Sequence, residues 1–471
     1  MLRSKLAACL VLCGSIGLTV LAVRSSLAQD TQGQTPVIAS RDAQAFQRAQ
    51  DAMQRGDLAQ ARTLLLGLHA RLPGNFEVDE LLGLVYASEN NLKQALPPLR
   101  AAAEERPDSN VARANLGATL LKMHRASEAA RELHIAVQLD PNDASTQENL
   151  GQAEMLLHHP AQAAKAFGAA LALNPGNADL AYNDALALFE NQSYAQAREV
   201  LARMPGVKLS ASAQSLYGDI DEKLGRYKQA AQHDLNAAQL EPSETNIYVL
   251  GVELLRHWTF GPAIQALSAG VKKYPDSRRM RLGLGIAYYG NGNYDHAIPI
   301  LADLLAEAPG NVLYADLLGR TCTVLTEGNH PRCATLVQFA LRHPQNAMLA
   351  TYAATSILHQ PSSPRQLNVA KQMLQQAIAA RPKLAQARLE MGVLLQTESK
   401  WAESVGPLET AIRLQPDLAQ AHYRLALAYS HLGRHTEAQR QIALDREYSK
   451  SQQQNLNARM QEITTLVVKM E

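Results

Sequence analysis

Two short groups of residues are the first candidates for metal binding or acid–base chemistry. His158 and His159 are adjacent, but they fall between two segments of helical pattern, where solvated turn histidines are far commoner than metal pairs. The paired carboxylates Glu104 and Glu105 lie at the end of a helical pattern, which is typical of a solvated surface. Neither group indicates a catalytic or a metal site.

The glycines and nucleophiles also lack a catalytic context. Gly283, Gly285 and Gly290 have no strand pattern before them, as a dinucleotide-binding turn would require. The sequence contains no phosphate-binding loop that ends in Lys-Ser/Thr, no His-Glu-x-x-His and no nucleophile elbow. We therefore predict a non-enzymatic protein without a cofactor, a metal ion or a small-molecule substrate.

The first 28 residues have the pattern of a secretory signal. Arg3 and Lys5 form a basic start, residues 6–23 are apolar, and residues 26–28 form a small-x-small cleavage site. The 18 apolar residues are at the short end for a membrane span, so both cleavage, which we favour, and retention as an N-terminal anchor stay open. Either alternative predicts export to the periplasm or the cell envelope, and the retained segment is the only predicted contact with a membrane.

Charge and cysteine usage change on export. The chain has 45 Lys and Arg against 44 Asp and Glu, and removal of residues 1–28 leaves 42 against 44, a net charge of −2. Since there are no basic runs either, nucleic acid and anionic membrane surfaces are not expected partners.

Cys322 and Cys333 remain after cleavage, either as a disulfide in an oxidising compartment or as two buried free thiols.

The elements that position these residues are helices in a repeat. Of the 471 residues, 46% are hydrophobic but only 5% aromatic, which favours helices packed through alanine and leucine over β-sheets. Length alone suggests about three domains of roughly 150 residues, but a period of 34 residues replaces them with one repeated unit. Prolines mark the period at Pro73, Pro107, Pro141, Pro175, Pro242, Pro275, Pro309, Pro344, Pro382 and Pro416.

The repeated unit is predicted to be a hairpin of two helices. Apolar residues have helical spacing in residues 82–86 and 95–102, and the polar residues 88–91 between them form a turn. Small residues such as Gly83 and Ala95 recur with the prolines and let the two helices approach closely, and each proline ends the second helix. A single hairpin cannot bury its apolar face, so the hairpins are expected to stack.

This pattern resembles the tetratricopeptide repeat (TPR) family. The family's aliphatic-Gly pair, aromatic residue, Ala, large apolar residue and Pro are present at Leu284-Gly285, Tyr288, Ala297, Leu301 and Pro309. The resemblance implies an all-α fold, a right-handed TPR solenoid of about twelve αα-hairpins over residues 42–449. The other predicted segments are the signal or anchor at 1–28, a linker at 29–41 and a C-terminal capping helix at 450–471.

The resemblance also implies a binding groove. In the family, positions 2, 5, 9, 12 and 13 of each first helix line the concave face, and in three repeats here those positions include apolar and aromatic residues. The partner-binding residues predicted in this way are Tyr182, Leu186, Phe189, Tyr248, Val252, Leu255, Leu282, Ile286 and Tyr289. Such a groove suits an extended or helical peptide, and the alternative is that these side chains pack against the next hairpin.

Two departures from the family pattern bear on function. Some TPR domains hold a terminal carboxylate with a Lys and Asn clamp, but the corresponding positions here carry Glu77, Glu80, Glu148 and Asp219, which disfavours that role. In the ninth repeat, Cys322 replaces the aromatic residue of the first helix and Cys333 lies near the alanine of the second. Because these positions face each other across a hairpin, we predict a Cys322–Cys333 disulfide.

Three functional hypotheses follow. The leading one is an exported, non-enzymatic scaffold or adaptor that binds protein or peptide partners through its concave groove. The second is a structural accessory of an envelope machine for outer-membrane assembly or polysaccharide secretion. The third is a regulatory arm of an enzyme complex, although the repeats leave no room for a catalytic domain in this chain.

Overall fold

A computed structural model of the chain describes residues 40–204, 209–309, 311–324, 330–359 and 362–454. Within these ranges the chain forms 24 α-helices, one short 3₁₀-helix at Pro331–Cys333 and no β-strand. The predicted signal or anchor, most of the linker at 29–41 and most of the capping segment at 450–471 lie outside the described residues. Among the described helices, none combines the length and the apolar character that a membrane crossing requires.

The helices alternate as the first and second members of hairpins. The first helices are α1 (Ser40–Gln54), α3 (Phe76–Ser88), α5 (Asn110–Lys122), α7 (Ala144–Leu156), α9 (Ala178–Glu190), α11 (Ala211–Lys223), α13 (Glu244–Arg256), α15 (Arg278–Gly290), α17 (Val312–Val324), α19 (Ala347–Leu358), α21 (Ala385–Thr397) and α23 (Ala419–His431). The second helices are α2 (Leu58–Arg71), α4 (Leu92–Glu105), α6 (Ala126–Leu139), α8 (Pro160–Leu173), α10 (Tyr194–Ala202), α12 (Tyr227–Leu240), α14 (Phe260–Lys273), α16 (Tyr294–Glu307), α18 (Ala334–Arg342), α20 (Pro364–Ala380), α22 (Trp401–Leu414) and α24 (His435–Gln454).

The repeated prolines are followed by residues that begin the next first helix. The side chain of Asn75, two residues after Pro73, accepts a hydrogen bond from the backbone N–H of Val78 at 3.1 Å. Ser109, Asp143 and Asn177 cap α5, α7 and α9 in the same way. These side chains satisfy N–H groups that have no partner within their own helix, so each repeat starts a new helix at a defined residue.

A left-handed residue follows most of the described first helices and repeats with the sequence period. Asn90, His124 and His158 have φ of 58°, 58° and 59°, and each follows the previous one by 34 residues. A residue in this region lets the chain leave the helix while its N–H still bonds to the preceding turn. The repeat is therefore present in the backbone geometry as well as in the residue types.

The helices of a hairpin cross where the sequence places a glycine. A Cβ atom at Gly83 would lie 2.5 Å from the Cγ atom of Leu99, and Gly117 and Gly392 meet Leu133 and Leu408 at the same distance. No real Cβ fits at that distance, so the glycine allows the leucine of the second helix to sit against the backbone of the first. The close approach that the sequence predicted is thus the packing contact of the hairpin.

The hairpins form an all-α repeat solenoid, whose described residues fall into two compact units. The first unit ends at His233 and the second begins at Asp234. In the first unit, first helices of successive hairpins contact each other at α1–α3, α3–α5, α5–α7 and α9–α11. In the second unit, the corresponding contacts are α13–α15, α17–α19, α19–α21 and α21–α23. Each unit therefore presents a row of neighbouring first helices.

Candidate functional site

Most of the predicted partner-binding residues are buried between hairpins. Tyr182 and Leu186 of α9 belong to a hydrophobic cluster that includes Leu216 and Ile220 of α11. The buried members in the second unit are Val252, Leu255, Leu282, Ile286 and Tyr289, all in one continuous cluster. For these seven residues the burial favours the alternative of packing between hairpins, since a partner cannot reach a fully covered side chain.

Phe189 and Tyr248 are the two predicted residues that remain half-buried. The ring of Phe189 lies 5.4 Å from that of Tyr194, the first residue of α10. The guanidinium group of Arg279, on α15, lies 4.8 Å above the ring of Tyr248. Both side chains are thus partly accessible, and their partner-binding role stays a prediction.

The surface beside Tyr248 is a charged depression of about 830 Å³ in the second unit. Arg279 Nε donates to Glu244 at 2.9 Å, and Arg281 and Arg278 both pair with Glu307. The two arginines beside Glu307 hold the pKa of that carboxyl at about 2. Three arginines of the depression thus pair with two glutamates, and Arg279 connects the depression to the ring of Tyr248.

The first helices of the first unit carry carboxyl groups with raised pKa values. Burial raises the pKa of Glu80 to about 7, although Asn115 Nδ2 donates to it at 3.3 Å and Arg106 lowers it. Burial also raises the pKa of Asp184 to about 6. For Glu148 the pKa is raised mainly by burial and further by the charge of Asp179. Glu80 and Glu148 are two of the positions at which the sequence lacks the basic residues of a carboxylate clamp.

Other carboxylates buried in the first unit are paired with basic side chains. Asp221 is fully buried and accepts from Arg198 Nε at 2.8 Å. Glu154 has both His159 Nδ1 at 2.8 Å and His134 Nε2 at 3.5 Å beside its oxygens. His159, one of the two adjacent histidines in the sequence, therefore contacts a structural carboxylate.

Sequence reasoning missed these pairs for a physical reason. Asp221 and Arg198 are 23 residues apart, and Glu154 and His134 come from different hairpins, so no local spacing marks them. The available signal was weak: each is an acidic residue that follows an apolar one in a first helix, Asp221 after Ile220 and Glu154 after Ala153. Such a residue needs a partner, but its identity depends on how the next helix is placed.

Cys322 and Cys333 form a disulfide in the structure, with Cα atoms 6.0 Å apart. Cys322 lies on α17 and Cys333 ends the short 3₁₀-helix that precedes α18, and both are buried. The bond therefore ties the two helices of the ninth hairpin across a connection whose residues 325–329 lie outside the described part.

Repeated helical hairpins with glycine crossings and adjacent first helices define the class of the protein, an all-α helical-repeat protein. Sequence profiles of the tetratricopeptide repeat match residues 46–110, 155–220, 260–321 and 408–440. The chain belongs to the tetratricopeptide repeat family. Repeats of this family generally mediate protein–protein interactions. Among curated proteins, none matches the chain.

Several solved structures are similar to parts of the chain. One, described as a functional characterization of Pseudomonas aeruginosa pilF, is 25% identical, covers 44% of this chain and 94% of its own, and has a TM-score of 0.37. A tetratricopeptide repeat protein from Parabacteroides merdae is 14% identical, with coverages of 52% and 98% and a TM-score of 0.37. A structure of Naa15/Naa10 bound to HypK-THB is 13% identical, with coverages of 86% and 68% and a TM-score of 0.39. At TM-scores this low, the likenesses carry no conclusion about function.

Proposed function

We propose that this chain is an exported, non-enzymatic scaffold that binds protein or peptide partners across its first helices. The observation that carries the proposal is the row of first helices in each unit, in which successive hairpins contact one another. Equivalent positions of neighbouring repeats then lie side by side, and an extended or helical segment can contact several of them at once.

The half-buried aromatic residues supply apolar contacts within each unit separately, Phe189 in the first and Tyr248 in the second. Phe189 on α9 is half-buried beside the ring of Tyr194, and Tyr248 on α13 is half-buried beside the guanidinium group of Arg279. Aromatic side chains with a polar rim are typical of the few residues that contribute most of the affinity in protein interfaces.

A double substitution tests this surface. We expect Phe189→Ala/Tyr248→Ala to reduce partner capture by about tenfold, because the loss of each ring removes apolar contact area from the interface. Capture is measured by cross-linking and affinity purification of the full chain from envelope fractions, with quantitative mass spectrometry of the partners recovered.

The matched control places the same kind of change on second helices. Leu173 on α8 and Leu341 on α18 are 42% and 55% exposed, so Leu173→Ala/Leu341→Ala removes exposed apolar surface without touching a first helix. The control is expected to capture partners as the unaltered chain does. Equal capture by both double variants would contradict binding across the first helices.

Export is supported by the Cys322–Cys333 disulfide, since disulfides persist in oxidising compartments. For protein purified from its native cells without reductant, we expect a mature N-terminus at Gln29 and a peptide that contains the intact 322–333 bond. Intact Met1 in an envelope fraction would favour the retained anchor. Free, alkylatable thiols at both positions in the unfolded protein would contradict the disulfide and remove its support for export.

A further inference from the structure

A second depression of the second unit lies where α18 ends and α19 begins. We call it the junction site; its lining includes Val312, Arg342, Gln345, Met348 and Arg381. Its volume is about 610 Å³, within the range of roughly 300–1,000 Å³ that is typical of ligand pockets. Among the described residues that line the junction site, none is acidic.

The two arginines of the junction site have no counter-charge of their own. Arg342 is the last residue of α18 and Arg381 directly follows α20, and both side chains are exposed. Within the described part of the chain, neither guanidinium group forms an ion pair or a hydrogen bond. The carboxylates of Asp303 and Asp316, on the neighbouring helices α16 and α17, are paired with other arginines. The positive charge of the junction site is therefore available to a bound molecule.

The charged depression beside Tyr248 is the matching junction two repeats earlier in the chain. Its lining contains three carboxylates, Glu244, Asp276 and Glu307. They are the first residue of a first helix, the residue before the Ser277 cap of α15, and the last residue of a second helix. The corresponding places in the junction site are occupied by Val312, Gln345 and Ala380. The internal counter-charges of the earlier depression are thus missing from the junction site, while its positive charge is kept.

The first turn of α19 and an apolar surface complete the junction site. The side chain of Asn346 accepts a hydrogen bond from the backbone N–H of Leu349 at 3.2 Å, but the first two N–H groups of α19 have no acceptor within their helix. The start of a helix carries a partial positive charge, which adds to that of the two arginines. Val312 is 53% exposed and Met348 is half-buried, so apolar contacts are available beside the charges.

From this arrangement we infer that the junction site binds an acidic segment of a partner protein. Aspartate or glutamate carboxylates of the segment contact Arg342 and Arg381, and an apolar side chain of the segment lies against Val312. Guanidinium groups suit this role because they bind carboxylates through two parallel hydrogen bonds. A nucleic acid would require a longer track of cations than two arginines beside an apolar surface. The inference rests on the proposed scaffold function and adds the chemistry of one partner segment.

The test uses the full chain and fluorescently labelled ten-residue peptides at low salt. The first peptide has two adjacent aspartates with a leucine on each side and serine elsewhere. Asparagines replace the aspartates in the second peptide, and lysines replace them in the third. By fluorescence anisotropy, we expect the aspartate peptide to bind about tenfold more tightly than the asparagine peptide, and the lysine peptide not to bind. Added salt is expected to weaken binding.

A double variant and a matched control locate the site. Arg342→Gln/Arg381→Gln is expected to lower the affinity for the aspartate peptide by about tenfold or more. Arg131→Gln/Arg440→Gln removes the same charge from exposed positions of the second helices α6 and α24 and is expected to bind normally. Because all four side chains are exposed, both variants are expected to keep the melting temperature of the unaltered chain, which separates lost binding from misfolding.

Two further variants test the role of the missing carboxylates. Val312→Glu places a carboxylate where Glu244 stands in the earlier depression, and it is expected to lower the affinity for the aspartate peptide by about tenfold, because it competes for the arginines. Arg342→Glu/Arg381→Glu reverses the charge and is expected to bind the lysine peptide in place of the aspartate peptide.

Each contrary outcome overturns a distinct statement. Unchanged affinity in Arg342→Gln/Arg381→Gln, an equal loss in its control, or equal binding of the aspartate and asparagine peptides would overturn the junction site as an acidic-segment site. Unchanged affinity in Val312→Glu would overturn the role of the missing carboxylates. Tighter binding of a single-stranded oligonucleotide of the same charge would assign the site to phosphate groups instead. If the acidic segment fails while Phe189→Ala/Tyr248→Ala still reduces partner capture, the proposed scaffold function stands.

Discussion

Replacement of Gly392 by alanine is expected to destabilise the second unit by roughly 1–3 kcal/mol. The added methyl group would lie 2.5 Å from Cγ and 2.6 Å from Cδ2 of Leu408. Leu408 is fully buried on α22, so it cannot rotate away without displacing its neighbours. This cost exceeds the gain of roughly 0.5–1 kcal/mol that alanine normally brings to a helix interior.

The matched control is a glycine on the other helix of the same hairpin. Gly406 is exposed on α22, and a Cβ atom there would meet nothing within 4 Å. Gly406→Ala is therefore expected to stabilise the protein by roughly 0.5–1 kcal/mol. The two substitutions make the same chemical change 14 residues apart and are predicted to have opposite signs.

Denaturant unfolding followed by circular dichroism measures both effects. A double variant, Gly392→Ala/Leu408→Ala, adds a further check, because the added methyl group occupies part of the volume that the leucine vacates. Its cost is expected to be smaller than the sum of the two single costs. A stabilising Gly392→Ala, or strictly additive costs, would show that the helices do not meet at this contact.

Replacement of Glu390 by glutamine is expected to remove a pH dependence of stability near neutrality. Glu390 on α21 is 1% exposed, and Gln386 Nε2 donates to its Oε1 at 2.8 Å. Burial raises its pKa from the ordinary 4.5 to about 7, and the hydrogen bonds from Gln386 and Thr355 and the charge of Arg424 offset this only in part.

The sign of the effect follows from where the proton is held. Between pH 4.5 and about 7 the folded chain keeps the proton on Glu390 while the unfolded chain releases it, so the free energy of unfolding falls as pH rises. From pH 5.5 to pH 8 the free energy of unfolding falls by about 2 kcal/mol because of this one group. The fall is about 1.4 kcal/mol for each pH unit below the pKa of Glu390 in the folded chain.

Unfolding measured at pH 5.5 and pH 8 checks this prediction. Glu390→Gln is expected to be more stable than the unaltered chain at pH 8 and to lose less stability between the two values. Glu403→Gln, at an exposed position of α22, serves as the control and is expected to follow the unaltered chain. An identical pH dependence in the two variants would contradict a buried, protonated Glu390.

The organisation of the chain could be predicted from its sequence because helical hairpins are local. The prolines act at the helix ends beside them, and Gly83 packs against Leu99 within the same hairpin. The side chains that cap the helices two residues after the prolines act over three residues, as at Asn75 and Val78. Local geometry of this kind is recorded directly in residue types and spacing.

The candidate surface could be predicted only in part. The family positions point to the first helices, but they cannot tell an accessible side chain from a buried one. Tyr182 and Tyr289 are covered by neighbouring helices, whereas Tyr248 is not, although Tyr182 and Tyr248 occupy equivalent positions. Exposure depends on the size and placement of residues in the next hairpin, which one repeat does not contain.

The sequence by itself thus determined the repeated hairpin, its glycine crossings and the absence of a basic clamp, since these depend on contacts within about 34 residues. Only the tertiary structure decided which carboxylates obtain a basic partner. Asp221 accepts a hydrogen bond from Arg198, while the pKa of Glu148 is raised mainly by burial and further by the charge of Asp179. Electrostatic interactions act through space between repeats, so their sum is set by the stacking of helices and cannot be read from the order of residues along the chain.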